Sequence, residues 1–184
     1  MDFLDKELVH YIENHSQPEP ALLSELNRDT NLNVYMPRML SGHLQGRILA
    51  MIAHMIKPKV ILEIGTFTGY SALSFAEGLA EGGKIITIDI NEELEDMVRK
   101  YILKANLQKV IDYRVGDAIT IIPMVKEEID LVFIDADKGN YANYFQLTVD
   151  KVKSGGFIIA DNVLWSGKVL EKNRNKTQHV CCKI

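Results

Sequence analysis

Five short apolar runs, at 60–64, 84–90, 110–115, 129–135 and 157–160, alternate with segments of helical periodicity at about 69–80, 91–106, 118–126 and 140–152. Strand and helix in alternation leave few solutions, because each strand must return through a crossover and the resulting parallel sheet needs helices on both faces. The chain therefore predicts an α/β fold with a mostly parallel sheet. Segment 91–106 is the clearest helix: Asn91 can cap it, Glu92 and Glu93 suit its positive end, and Lys100 and Lys104 its negative end. Leu94, Met97, Val98, Tyr101 and Ala105 supply its apolar face.

The first 56 residues read as a helical cap ahead of a core at 57–168. Phe3, Leu4, Leu8, Tyr11 and Ile12 lie at helical spacing before Pro18 and Pro20, and a second helix is expected over 19–29. Residues 31–38 are loop-like. From Ser41 onward, Leu44, Ile48, Met51, Ile52 and Met55 form an apolar stripe that stops before Pro58.

A chain of 184 residues with 47% hydrophobic and 25% charged residues suits one soluble globular domain. Its formal charge of -4 gives no overall pull towards nucleic acid or anionic membranes. The two cysteines, Cys181 and Cys182, are adjacent and close to the end, so they offer neither a disulfide framework nor metal-ligand spacing. With no targeting pattern and no apolar stretch long enough to span a bilayer, a cytoplasmic setting is expected.

The first strand runs into a turn, Val60-Ile-Leu-Glu-Ile-Gly-Thr-Phe-Thr-Gly-Tyr-Ser71, with glycines at 65 and 69 and a carboxylate, Glu63, inside the apolar run. Such a strand-to-helix turn is where open α/β sheets bind ligands. A dinucleotide fingerprint needs a glycine where this loop has Phe67, which disfavours a pyrophosphate. A nucleoside without phosphate fits better, and Asp89, ending the second strand, can accept hydrogen bonds from ribose hydroxyls. Burying the Glu63 charge needs a partner, either a cationic ligand or the N–H groups of the loop. At the end of the third strand, Asp117 could border an adenine or simply cap the next helix; the two are compatible.

The fourth strand runs into Asp135-Ala136-Asp137-Lys138 and the fifth into Asp161-Asn162. Asp135, Asp161 and Asn162 could converge on one cation, and all-oxygen ligation with room for water suits Mg²⁺. Capping of the following loops is the alternative. The histidines show no ligand spacing, and His43 reads as polar surface. Tyr141, Tyr144, Phe145, Val149 and Val152 read as core, while Trp165 reads as a pocket or a loop residue.

Glu63 to Ser71, then Asp89, then Phe133 to Lys138, then Ala160 to Leu164 resemble, in order and spacing, the motifs of the cation-dependent O-methyltransferases related to catechol and caffeoyl-CoA O-methyltransferases. The resemblance covers about residues 20–170. It implies a Rossmann-like fold, S-adenosylmethionine as methyl donor, a divalent cation, usually Mg²⁺, and a phenolic or catechol-like acceptor. It also implies residue roles. Asp135, Asp161 and Asn162 match the metal ligands and Lys138 the general base. Glu63, Gly65, Tyr70, Ser71, Asp89, Asp117, Ala118 and Asp135 match donor-binding positions, and Met39 and Ser41 the segment that packs over the donor's methionine part, although a plain helix start explains these two equally well.

A homodimer is expected. After the fifth strand the resemblance implies another helix and a closing strand pair, which 169–184 does not show. A shortened or truncated end is the expectation, with Phe157, Ile158 and Ile159 on an uncovered edge. Two further readings stay open. One moves the methyl group to a hydroxylated base of tRNA, with Arg28, Arg38, Arg47, Lys57 and Lys59 clustering. The other is a donor-binding protein without catalysis.

Overall fold

The computed structural model describes residues 5–164 together with Gly167 and Leu170. Strands β1 (Val60–Ile64), β2 (Lys84–Asp89), β3 (Ile111–Val115), β4 (Ile129–Ile134) and β5 (Val152–Ala160) form one parallel sheet in the order β3-β2-β1-β4-β5. The strand order reverses at β1, between β2 and β4, so a crevice opens beyond the carboxyl ends of these strands. Ahead of the sheet come α1 (Lys6–Asn14), α2 (Ala21–Asn33) and α3 (Gly42–Ile56), and between strands lie α4 (Tyr70–Ala76), α5 (Glu95–Lys104), α6 (Ala118–Ile121) and α7 (Tyr141–Val149). None of the helices in the described residues is long and apolar enough to cross a membrane.

Side chains alternate across β1, and each face has its own core. Ile61 joins Leu23, Leu26, Leu49, Phe75, Val98 and Tyr101 on one face, whereas Leu62 and Ile64 join Ile122, Tyr141 and Tyr144 on the other. The six residues of β4 are all buried, as expected of a parallel strand covered on both sides.

The structure departs from the sequence reading in several places, among them the segment 91–106, which opens as a 3-10 turn at Glu92–Leu94, capped by Asn91, before α5 begins. The inward face of α3 is Gly46, Leu49, Ala50 and Ala53, while Ile48, Met51 and Met55 of the apolar stripe are exposed. The small residues win because α4 lies very close: a Cβ on Gly46 would come within 2.6 Å of the Tyr70 ring. The last helix ends at Val149, which is exposed, and β5 begins at Val152, several residues before the apolar run. A register irregularity pairs Val152 with Ile129 and Phe157 with Leu131, so 153–156 bulge from the ladder. Finally, α2 continues through Asn33 into the stretch read as loop.

Phe157 is exposed, as expected of an edge, whereas Ile158 and Ile159 are partly buried against the two cores. Phe3, Leu4, Trp165 and the tail from 171 onward lie outside the described residues.

Glu63 lies in the middle of the sheet with 0% exposure, paired in register with Thr87 of β2. Its Oε2 accepts from Thr87 Oγ1 at 2.5 Å, and Thr87 in turn meets Thr66 Oγ1 at 2.6 Å. Burial pushes its carboxyl up to about 7, against the pull of the Ser71 and Thr87 hydroxyls and with help from the Asp135 and Asp89 charges. The folded chain thus holds a proton that the unfolded chain releases at lower pH. The associated stability is complete below the ordinary carboxylate range and is lost as pH rises towards 7. Glu63→Gln, a mimic of the neutral form, should gain stability relative to the parent between pH 5 and pH 8, as read by urea unfolding.

Gly65, just past β1, has φ +102°, and a Cβ there would lie 2.1 Å from the Asp135 carbonyl oxygen. Gly65→Ala should lower the unfolding free energy by at least about 1–3 kcal/mol from backbone strain alone, measured as a shift in urea midpoint.

Candidate active site

One cavity of about 730 Å³ lies at the carboxyl ends of the strands, and every strand contributes to its wall. The β1 end supplies the loop Gly65-Thr66-Phe67-Thr68. Gly65 N–H donates to the Ile88 carbonyl at 2.9 Å and Gly69 N–H to the Thr66 carbonyl at 2.8 Å, which folds the loop back over β2. Phe67 takes a left-handed φ of 49°, and this aims its N–H at Asp89 Oδ2, 2.6 Å away. Asn91 N–H donates to the other oxygen, Oδ1, at 2.9 Å. Asp89 is therefore fixed by one backbone donor on each oxygen, and each oxygen retains acceptor capacity towards the cavity.

Asp117 caps α6 through Ile119 N–H at 2.9 Å, as the capping reading expects, and also lines the cavity beside Ala118. Met39, in a 3-10 turn at Pro37–Met39, and Ser41, just before α3, also line the cavity. Ser71 and Tyr70 line the wall at the start of α4. The Tyr70 hydroxyl itself is engaged elsewhere, donating to Glu19 Oε1 at 2.6 Å.

Not every expected residue reaches the cavity wall. Glu63 does not line it, and its partner is the Thr87 hydroxyl, not the loop N–H groups, one of the two partners expected for it. One of its oxygens, Oε1, has no hydrogen-bond partner. Lys138 also stands behind the wall. Its ammonium donates to Tyr141 Oη at 2.5 Å, to Asn162 Oδ1 at 3.2 Å, and to Asp135 Oδ1 and the Asp161 carbonyl at 3.4 Å each. Tyr141, read as core, is indeed fully buried, but its hydroxyl also reaches the carbonyls of Ile134 and Asp161 at 3.2 and 3.1 Å.

Backbone ladders bring the oxygen cluster together: Asp135 N–H donates to the Ile64 carbonyl, and Asp161 N–H to the Ile134 carbonyl, each at 2.9 Å. Burial raises the Asp135 carboxyl above its ordinary range, the nearby Asp161 charge adds to this, and Lys138 opposes it. No group of three His, Cys, Asp or Glu residues able to hold a metal occurs among the described residues. The candidate set is two carboxylates and one amide oxygen, and it already surrounds a cation, the Lys138 ammonium, on two sides through Asp135 and Asn162. All-oxygen donors with the remaining positions open to water fit a hard divalent cation such as Mg²⁺.

Sequence reasoning missed Gln45, whose Nε2 donates to Asp161 Oδ2 at 2.7 Å across 116 residues of chain. No local pattern marks such a partner. Of the basic residues considered for RNA, Arg47 is buried and forms a two-pronged pair with Glu77, which removes it from any surface cluster. His43 contacts the Gln17 carbonyl, in keeping with a bland role.

The sequence model of a family described as O-methyltransferase matches residues 13–184. Caffeoyl-CoA O-methyltransferase 1 of Eucalyptus globulus is 38% identical over 167 residues, 88% of this chain and 68% of that protein. The caffeoyl-CoA O-methyltransferase of Medicago sativa is 42% identical over 132 residues, 68% of this chain and 53% of that protein. The chain thus spans about half to two thirds of the length of these relatives. Among solved structures, the O-methyltransferase from Bacillus cereus in complex with SAH superposes with a TM-score of 0.86 at 29% identity, covering 96% of this chain and 82% of that one. The SAH-bound Podospora anserina methyltransferase PaMTH1 gives 0.88 at 27% identity, with 98% and 85% covered. Family match, sequence identity and fold agree with the motif order along the chain, and the protein belongs to the O-methyltransferase family.

Proposed function

We propose that the protein is an S-adenosylmethionine-dependent O-methyltransferase that transfers a methyl group to a hydroxyl of a small catechol-like or phenolic acceptor with the aid of a divalent cation, Mg²⁺. The observation that carries this reading is the single cavity at the sheet's switch point. It joins a phosphate-free glycine loop, the doubly held Asp89 and the oxygen cluster of Asp135, Asp161 and Asn162.

On this reading Asp89 accepts from the ribose hydroxyls of the donor, its carboxylate preset by Phe67 and Asn91 N–H. Asp117 borders the adenine, and Met39 and Ser41 cover the methionine part. Close approach of backbone at Gly65 leaves no room for a side chain and shapes the floor between β1 and β4. The donor supplies an electrophilic methyl on a sulfonium. Asp135, Asp161 and Asn162 would hold the cation, whose contribution when bound is to polarise adjacent acceptor oxygens and ease loss of a hydroxyl proton. Lys138 Nζ, within reach of Asp135 and Asn162, takes that proton as a neutral amine, having first released its own to solvent, as the S–CH₃ bond breaks and the new O–CH₃ bond forms. Holding both reactants in line removes up to roughly 7–11 kcal/mol of barrier in favourable cases.

Calorimetry should show SAH binding in EDTA, while methyl transfer to a panel of catechols and phenolic esters should need added Mg²⁺. Lys138→Met should lower kcat by about 10²–10⁴-fold with SAH affinity retained. Equal turnover in EDTA would remove the metal from the reading. Methyl incorporation into tRNA in preference to every phenol would replace the acceptor class. Donor binding without turnover on any acceptor would support a non-catalytic role.

A further inference from the structure

The acidic pair at the ends of β4 and β5 poses an electrostatic problem. Asp135 and Asp161 lie close enough that the Asp161 charge helps to raise the Asp135 carboxyl. Two like charges in a half-buried wall push apart, and a carboxylate free to rotate relieves the repulsion by turning away. Lys138 contacts Asp135 through its side-chain oxygen and Asp161 at the backbone carbonyl. The Asp161 side chain must also be held.

Two contacts do so. Oδ1 accepts from Asn162 N–H at 2.5 Å and Asn162 Nδ2 at 3.2 Å, both from the next residue. Oδ2 accepts from Gln45 Nε2 at 2.7 Å. Gln45 is on the first turn of α3, a helix anchored separately through Leu49, Ala50 and Ala53. It is thus the contact that ties the Asp161 carboxylate to α3, and Gln45 lines the same cavity as Asp161.

The chemistry of the donor matters. A primary amide donates one good hydrogen bond and carries no net charge, so it fixes the carboxylate while leaving its full negative charge available. A lysine or arginine at this place would neutralise Asp161 and repel a second cation. Partners of ligating carboxylates are commonly as important to a metal site as the ligands, since they fix orientation before the ion arrives.

We propose that Gln45 is a positioning residue for cation binding: its amide holds the Asp161 carboxylate towards Asp135 and Asn162 and presets the oxygen cluster for a divalent ion. This inference rests on the metal-assisted reading given above. It also ties the helical segment ahead of the sheet to the acceptor end of the cavity.

The test compares the parent protein with Gln45→Met, which keeps length and bulk but removes the donor. Mn²⁺ is titrated by calorimetry into EDTA-stripped, buffer-exchanged protein, and thermal melting is recorded without metal. Gln45→Met should weaken Mn²⁺ affinity by about 10–100-fold with the metal-free melting temperature retained. In turnover assays its activity should return towards the parent kcat at high metal, with the loss confined to the metal concentration needed. Parent protein that binds no Mn²⁺ would overturn the metal reading itself. Parent protein that binds, with Gln45→Met binding equally well, would overturn the role of Gln45 alone. A fall in melting temperature that accompanies the affinity loss and persists at saturating metal as a lower kcat would show a structural role and overturn the positioning role.

Discussion

The contact between the β1 turn and β4 governs the geometry of the whole cavity. Gly65 packs against the Asp135 carbonyl so closely that no Cβ could stand between them. Asp135 N–H is in turn tied to the Ile64 carbonyl, and Gly65 N–H to the Ile88 carbonyl. Three strand ends are thereby locked at the point where the sheet order reverses. The loop that carries Phe67 and Thr68, the Asp89 carboxylate and the Asp135 cluster all take their positions from this junction. Hydrogen bonds of this kind contribute only about 0.5–1.5 kcal/mol each, but they are repeated across adjacent strands and leave little freedom for the groups they carry.

Beneath that junction, Glu63 shows how the fold tolerates a carboxyl inside its sheet. A hydroxyl chain through Thr87 and Thr66 accommodates it, and burial favours the protonated form. The expected pairing with loop N–H groups fails because those donors are already used: Gly65 on Ile88, Phe67 on Asp89 and Gly69 on Thr66. These three backbone donors each satisfy another acceptor, and the buried carboxyl pairs with a side-chain hydroxyl and keeps one oxygen unpartnered.

Features governed by local chain geometry were legible in the sequence. The five strands, the glycine turn, the Asn91 cap and the acidic strand ends at Asp89, Asp135 and Asp161 all follow from periodicity, turn chemistry and capping, which act within a few residues. What escaped was decided by packing between distant segments. The α3 stripe of Ile48, Met51 and Met55 has the right period but the wrong face, since Gly46 and Ala53 allow closer approach to α4 than large side chains do. The early start of β5 depends on a bulge whose four residues 153–156 carry no apolar signal. Tyr141 was legible as core but not as a partner of Lys138, because the periodicity that buries its ring says nothing of what its hydroxyl meets. Gln45 is the extreme case, with a partner 116 residues away.

The charge distribution of the cavity connects these observations to the proposed chemistry. Asp89, Asp117, Asp135, Asp137 and Asp161 all line the wall, and Arg38 is the basic residue among the lining side chains. A modest overall charge of -4 is therefore concentrated where it can act on a ligand. Such a wall disfavours a phosphate-rich ligand, in agreement with a loop that lacks the dinucleotide glycine pattern, and it favours positively charged ones. A sulfonium donor and a divalent cation are both of that kind. The neutral donors that organise the wall fit the same logic: backbone N–H groups on Asp89 and an amide on Asp161 orient carboxyl groups without cancelling their charge. Lys138 is the exception, an ammonium held against the oxygen cluster, and the proposed reaction uses its neutral amine form to take the proton.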